Sequence, residues 1–301
     1  MPQPIAAQPT RRSLPALSMP AGAEDTALER SYSATAAAYH PQRRAATPVA
    51  GSPALAVQML DGFHIWAGTE PLHTLPHGKA RTLLKLLLLQ RRRALPRARL
   101  CAMLWPDAEP ESARNNLHVT LHRLRRGLSN ACEVRHNDEG YQLAPPGELW
   151  LDTEQFMLHA EMGRREEAAG RGGNAANQYE AALALYESDL LHEDEFEACL
   201  AAEAQALRDT LSEVLERLSV LIEHDADWHA GLRIALRHLR LDPCNERAHQ
   251  RLMMCYSRLG QRSLANRQYR SCVSHLRRHL GVCPSGETTA LYRSIAGSAS
   301  L

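Results

Sequence analysis

The sequence lacks the short motifs on which nucleotide-using enzymes depend. Neither a GxxxxGK[ST] phosphate loop nor a GxGxxG dinucleotide loop occurs in its 301 residues. His118 and His122 have the i, i+4 spacing of metal ligands on a helix, and His275 and His279 repeat that spacing. A zinc protease of the HExxH type needs Glu after the first histidine, but Val119 stands there. The sequence therefore predicts a protein that is not an enzyme, with no catalytic residues, no metal and no cofactor.

Long apolar runs and paired cysteines are also missing. No stretch approaches the ~20 apolar residues that a membrane-spanning helix requires. Arg11 and Arg12 are not followed by the apolar core of a secretion signal. The seven cysteines have scattered spacings and form no CxxC pair, which argues against a disulfide framework or a zinc finger. These absences predict a cytoplasmic protein with reduced thiols and no membrane contact, and the DNA binding expected below would make it nucleoid-associated.

The formal net charge is only +1, but the charges are segregated along the chain. Residues 76–130 contain twelve Lys or Arg and three Asp or Glu. Residues 150–230 contain five Lys or Arg and nineteen Asp or Glu. A basic region attracts nucleic-acid phosphates in a salt-dependent way. The acidic region does not suit DNA, so it faces solvent, the basic region or a protein partner.

The segment from Glu111 to Leu128 is the most informative part of the sequence. As a helix it places Leu117, Leu121, Leu124 and Leu128 on one stripe, four, three and four residues apart. The opposite face carries Asn, Val, His and Arg, the residue types that reach base edges and phosphates in a DNA major groove. A surface helix with a solvated basic face has the same pattern, so this segment alone leaves both interpretations open.

The flanking segments favour a winged helix. Residues 77–90 predict a leucine-rich helix, and a second helix starts at Pro96, because proline is well tolerated in a first helical turn. Residues 133–143 predict two strands joined by a turn in which Gly140 can take a positive backbone angle. Residues 55–75 alternate apolar and polar side chains, with a turn at Gly68. Strands, three helices and a hairpin are the element order of a winged helix with an N-terminal sheet.

From Trp150 onward the apolar periodicity is helical. Asp152 is a predicted N-cap, and Gln155 three residues later completes a capping-box pattern. The helices predicted at 245–259 and 262–280 read as a tetratricopeptide-like hairpin, with small residues where the two helices cross. The other helices are predicted at about 153–169, 174–187, 195–208, 210–224, 228–240 and 287–296.

Motifs in both halves resemble those of the SARP/AfsR transcriptional activators. In the first half they are LDGF at 60–63, GKAR at 78–81, LWPD at 104–107, ARNNL at 113–117 and RLRR at 123–126. In the second half they include ALY at 184–186, LDP at 241–243, LG at 259–260 and LGV at 280–282. The resemblance implies an OmpR-type winged helix followed by a helical bacterial transcriptional activator domain. It also implies that the bound protein recruits RNA polymerase at a promoter.

The predicted fold is mainly α and has two domains. A winged helix-turn-helix domain with small β-sheets occupies 51–148, and a TPR-like all-α helical-repeat domain occupies 149–301. Residues 1–50 are rich in Ala, Pro, Ser and Gln. They predict a disordered tail, because such a segment buries too little apolar surface to offset its ordering entropy.

We expect a sequence-specific DNA-binding transcriptional regulator that activates transcription. Its expected partners are double-stranded promoter DNA with direct repeats, RNA polymerase and a second copy of the chain. The alternative is a helical-repeat adaptor whose winged helix docks protein, and salt-dependent, sequence-preferring binding of duplex DNA would separate the two. Arg125, with Arg114, flanks the apolar stripe and is expected near phosphates. The predicted DNA contacts are Arg114, Asn115, Asn116, His118, Val119, His122, Arg123, Arg126, Arg135 and His136.

Overall fold

The computed structural model describes residues 54–60, 62–73, 77–128, 131–186 and 200–297. The predicted tail at 1–50 and the start of the helix predicted at 195–208 lie outside these ranges. Within them most residues are helical, and the strands lie in the first half of the chain. None of the helices in these ranges is both long enough and apolar enough to cross a membrane.

The winged helix has strands both before and after its helices. An antiparallel meander comes first, and in it Gly68 makes the turn before β3 with a φ of +59°. An antiparallel hairpin, the wing, follows the three helices of this part of the chain. The strands are β1 (Leu55–Gln58), β2 (His64–Ala67) and β3 (Glu70–Pro71) in the meander, and β4 (Glu133–Asn137) and β5 (Gly140–Ala144) in the wing.

Three helices lie between the meander and the wing, as the sequence predicted. They are α1 (Lys79–Leu89), α2 (Arg97–Leu104) and α3 (Pro110–Leu128). Residues 82–88 of α1 are all buried, because this helix is apolar on nearly every side and forms the centre of the domain. Even Lys85 is buried, and its ammonium lies 5.0 Å from the ring centroid of Phe63.

The second half of the chain is a series of helices in which consecutive helices pack against each other. The helix predicted at 262–280 becomes α9 and a π-helical segment that ends at Gly281, where φ is +69°. The helices are α4 (Asp152–Ala168), α5 (Gly172–Leu185), α6 (Ala201–His224), α7 (Trp228–Leu241), α8 (Glu246–Arg258), α9 (Arg262–His275), the π segment (Leu276–Leu280) and α10 (Gly286–Gly297).

The break predicted between two helices near residue 209 is wrong, because α6 runs through it without interruption. Leu207, Leu211, Val214 and Leu218 are buried at spacings of four, three and four residues. They form one continuous apolar stripe against the neighbouring helices, and neither Gly nor Pro occurs in this helix to end it.

A strand from the start of the helical region completes the N-terminal sheet. Strand β6 (Leu149–Leu151) pairs in parallel with β1, so the strand order is β3-β2-β1-β6. Leu151 lies opposite Val57, and both are buried. The winged helix and helices α4 to α7 share one hydrophobic core, so their junction is packed.

Polar contacts reinforce this junction at the end of α1. The Arg91 guanidinium binds the Glu154 carboxylate of α4, with 2.7 Å between Nε and Oε1. The Gln90 side chain donates a hydrogen bond to Glu203 of α6 over 2.8 Å. The end of α1 is therefore held against two helices of the second half.

Asp152 has a different role from the N-cap that the sequence predicted. It is the first residue of α4, and the residue in the N-cap position is Leu151. Its Oδ2 accepts hydrogen bonds from the backbone N–H groups of Met59, at 2.6 Å, and Leu60, at 2.7 Å. Its Oδ1 accepts from Thr153 N at 2.7 Å. The carboxylate therefore joins the segment after β1 to the start of the helical region, because the long-range N–H donors outcompete a local capping box.

Burial makes Asp152 sensitive to pH. Desolvation raises the pKa of Asp152 to about 6 from an ordinary value of 3.8, although the backbone N–H groups of Leu60, Met59, Thr153 and Asp152 itself act to lower it. A carboxyl with a raised folded-state pKa binds its proton more tightly in the folded chain than in the unfolded chain. Its stabilising contribution is therefore full below pH 3.8 and is lost as the pH rises to about 6.

We expect the parent protein to lose about 2 kcal/mol of unfolding free energy relative to Asp152→Asn between pH 4 and pH 6. Urea denaturation of both proteins across this pH range measures the difference between their unfolding free energies. The contributions of other titrating groups are the same in both proteins and cancel in this difference. A difference that is constant with pH would contradict the shifted pKa.

Seven glutamates of the acidic region form ion pairs with arginines in the described chain. In the described chain, Arg251 is the most buried of the arginines that pair with its glutamates, and it binds both Glu216 and Glu223. Glu154 is bound by Arg91 of the winged helix. The glutamates paired with arginines of the helical region are Glu161, Glu166, Glu167, Glu213, Glu216 and Glu223.

Candidate DNA-binding surface

Helix α3 has one buried face and one exposed face. The predicted leucine stripe is buried in the core that also contains the leucines of α1 and α2, which confirms its orientation. Trp105, at the end of α2, packs against the same core. The buried residues of α3 are Ala113, Leu117, Thr120, Leu121, Leu124, Gly127 and Leu128.

The exposed face holds every α3 residue predicted to contact DNA. Val119 is 53% exposed, so its methyl groups are available for contact with a thymine methyl group. Within the described residues, no hydrogen bond or ion pair engages the side chains of Asn115, His118 or Arg123. The exposed residues are Arg114, Asn115, Asn116, His118, Val119, His122, Arg123 and Arg126.

Arg125 is used inside the domain, although the sequence suggested a phosphate contact. Its Nη2 donates a hydrogen bond to the carbonyl oxygen of Val134 in β4 over 3.0 Å. This bond ties the end of α3 to the wing. The arginine therefore positions the wing relative to the exposed face of α3.

The wing turn is fixed by Asn137 and Gly140. The Asn137 Oδ1 accepts hydrogen bonds from the N–H groups of Glu139, at 3.1 Å, and Gly140, at 3.0 Å. Gly140 has a φ of +141°, and a Cβ there would lie 2.1 Å from the carbonyl oxygen of Leu95. Only glycine fits this position, because the adjacent Tyr141 exchanges two backbone hydrogen bonds with Leu95.

The predicted wing contacts are exposed next to this turn. Arg135 and His136 both lie on the surface of β4. The Arg135 guanidinium binds the exposed Glu133 carboxylate over 2.9 Å. Exposed pairs of this kind are weak, so a phosphate can replace Glu133. The His136 ring lies 4.5 Å from the ring of Tyr141.

Family comparisons match both halves of the described chain. Residues 75–143 match the family described as "Transcriptional regulatory protein, C terminal". Residues 151–296 match the "Bacterial transcriptional activator domain". Together the two matches cover more than half of the chain, in the order that SARP-type regulators share. The chain belongs to the SARP-type family of transcriptional activators. As a member of this family it is a DNA-binding transcriptional regulator with a winged helix and a TPR-like domain.

Individual relatives agree with the family. "Transcriptional regulatory protein MoaR1" of Mycobacterium tuberculosis is 28% identical over 224 residues, which are 72% of this chain and 71% of MoaR1. "Regulatory protein DnrI" of Streptomyces peucetius is 28% identical over 229 residues, which are 72% of this chain and 83% of DnrI.

A solved structure shares the fold. It is that of Mycobacterium tuberculosis EmbR in complex with a low-affinity phosphopeptide, with a TM-score of 0.64 and 21% identity. The match covers 83% of this chain and 66% of the EmbR chain, so this chain spans about two thirds of EmbR.

Some basic side chains of this family member's winged helix are engaged within the protein. Lys85 is buried, Arg91 binds Glu154, and Arg125 binds the wing. Arg97 and Arg99, which were not among the predicted DNA contacts, are both exposed in the first turn of α2. The first helix of a helix-turn-helix crosses the DNA backbone. Two arginines at the start of α2 were therefore the sequence signal for a phosphate contact there.

The histidine pairs have separate environments. His118 and His122 are exposed on α3, whereas the rings of His275 and His279 stack with their centroids 6.1 Å apart. Across the described ranges, no three His, Cys, Asp or Glu side chains are grouped in a way that could hold a metal ion.

Proposed function

We propose that the protein binds promoter DNA sequence-specifically through α3 in the major groove and activates transcription by recruiting RNA polymerase. The two opposite faces of α3 carry this proposal. One face is buried in the domain core, and the other presents polar and cationic side chains to solvent. A recognition helix needs this division, because it must be held rigidly while its other face reads bases.

Each exposed residue type suits a part of the DNA. Asn115 and Asn116 can form paired hydrogen bonds with adenine, and Arg123 and Arg126 with guanine. Val119 suits a thymine methyl group. His118, His122 and Arg114 complete the helix surface, and Arg135 and His136 of the wing reach an adjacent minor groove or its phosphates.

The first turn of α2 supplies a further contact. Arg97 and Arg99 are exposed there, and we assign them to backbone phosphates on one side of the groove. Such contacts set the orientation of the protein on the duplex without reading sequence.

We expect Arg123→Ala to weaken binding to a duplex selected in vitro from random sequence by about 1–3 kcal/mol, on the order of tenfold to a hundredfold. A base contact relaxes the preference at one position of the site, whereas a phosphate contact lowers the salt slope by about one. Titrations at several salt concentrations distinguish the two. Arg240→Ala is the matched control, because Arg240 is exposed on α7 of the helical domain.

If Arg123→Ala kept the affinity, sequence preference and salt slope of the parent, Arg123 would not be part of the DNA interface. Failure of the parent to prefer any duplex would favour the alternative of an adaptor whose winged helix docks protein.

Recruitment of RNA polymerase is tested by transcription with purified components. The proposal expects more transcript when the selected site lies upstream of a promoter, and no increase when the site is scrambled. Two copies on direct repeats would appear as two successive shifted bands whose formation depends on both repeats. Binding without activation would leave the protein a DNA-binding regulator of another kind.

A further inference from the structure

The end of the helical domain carries arginines without acidic neighbours in sequence. Between Glu246 and Glu287 there is no Asp or Glu, but there are eight arginines. Those nearest to α6 are used internally. Arg247 and Arg251 bind Glu216, and Arg258 lies over the ring of Trp228.

Helix α9 and the π segment present a different arrangement. Ser263, Arg267, Arg270, Ser274 and Arg277 are all exposed, at successive spacings of four, three, four and three residues. This spacing places them on one helix face. The opposite face is buried and includes Ala265, Gln268, Cys272 and Leu276. We call Arg267, Arg270 and Arg277 the arginine stripe.

The side chains of the arginine stripe form no hydrogen bond or ion pair with any described residue. Several other arginines of the described helical domain form ion pairs with glutamate, among them Arg164, Arg165, Arg171 and Arg217. Unpaired, exposed arginines also lie on the reading helix, at Arg114 and Arg123, and at single positions of the helical domain, at Arg240 and Arg293. The stripe therefore shares the electrostatic character of the surface that faces DNA.

We propose that the arginine stripe binds backbone phosphates of the DNA that flanks the site read by α3. This inference rests on the DNA binding of the winged helix. Three guanidinium groups on one face complement a polyanion, because each can form paired hydrogen bonds with a phosphate. From Arg267 to Arg277 the stripe is about 15 Å long, which is long enough to contact more than one phosphate of a strand.

The serines between the arginines fit the same ligand. Ser263 and Ser274 are small, exposed and on the same face, so they leave room for the backbone of the duplex. Their hydroxyl groups are also suitable donors to phosphate oxygens. The helical domain is thus a second, sequence-independent DNA contact, made beyond the site that the winged helix recognises.

The test uses the full chain and two duplexes. One is the selected site alone, and the other has two further helical turns, each of about 10.5 base pairs, on each side. The stripe variant carries Arg267→Gln, Arg270→Gln and Arg277→Gln. The parent should bind the longer duplex more tightly, with a salt slope steeper by about 3. The stripe variant should lose that gain and keep the affinity of the parent for the short duplex.

Two comparison variants make the result specific. Arg165→Gln, Arg171→Gln and Arg293→Gln remove the same charge from exposed positions outside the stripe, and they should keep the gain from length. Arg123→Ala should weaken both duplexes equally, so a failure of the reading helix is distinguished from a failure of the stripe. Lysine at the three stripe positions should restore most of the gain, since the charge is kept.

The proposal would be overturned if the stripe variant bound the longer duplex with the same affinity and salt slope as the parent. An equal loss in the control variant would also overturn it, because the effect would then be one of net charge. Unchanged DNA binding with weaker binding of RNA polymerase would assign the stripe to an acidic protein surface instead.

Discussion

Leu121→Ala is expected to lower the free energy of unfolding by about 2–5 kcal/mol. Leu121 is 3% exposed and lies in the core shared by α1, α3 and the helical domain. Truncation removes apolar contacts and leaves a cavity that the rigid leucine-rich surroundings fill only in part. Urea denaturation followed by circular dichroism measures the loss.

The matched control for this change lies two residues away on the same helix. Val119 is 53% exposed, so Val119→Ala should change stability by less than about 0.5 kcal/mol. The two variants should also separate in function, because Val119 belongs to the reading face and Leu121 does not. Equal destabilisation by both substitutions would mean that the helix is rotated from the orientation described above.

Asp152→Ala is expected to cost about 2–6 kcal/mol, because two buried N–H groups lose their acceptor at about 1–3 kcal/mol each. These are the N–H groups of Met59 and Leu60, which are both buried. Asp152→Asn keeps one acceptor oxygen and should cost clearly less. The pair of variants therefore isolates the hydrogen bonds from the change in side-chain volume.

Amide hydrogen exchange at Met59 and Leu60 gives a local measure of the same effect. Both amides should exchange faster in Asp152→Ala and remain protected in Asp152→Asn. Unchanged protection in the alanine variant would show that these groups have another acceptor.

Local sequence patterns predicted much of the winged helix. The leucine spacing of α3 set its buried face, and the Asn137–Gly140 turn set the wing, because both signals act over a few residues. The exposure of Asn115, Val119 and Arg123 followed from the same periodicity. The contacts of Arg91 and Arg125 could not be predicted from this periodicity, because their partners Glu154 and Val134 lie on other elements.

The packed junction between the winged helix and the helical domain could not be predicted either, because it also depends on contacts between distant segments. The change in charge near Trp150 suggested a domain boundary, and a fragment of residues 51–150 would follow from it. That fragment would lack Leu151, which pairs with Val57, and Asp152, which binds residues more than ninety positions earlier. A parallel strand pair between distant segments leaves no periodic mark in either segment.

The pairing of β6 with β1 has a consequence for promoter architecture. Because the helical domain begins within the sheet of the winged helix, no flexible tether separates the two. If two protomers occupy neighbouring repeats, their helical domains are held at a fixed phase around the duplex. Inserting about five base pairs, half a helical turn, would carry one protomer to the opposite side of the DNA. Binding of two protomers should therefore persist when the spacing between the repeats changes by whole helical turns, and it should weaken when the spacing changes by half a turn.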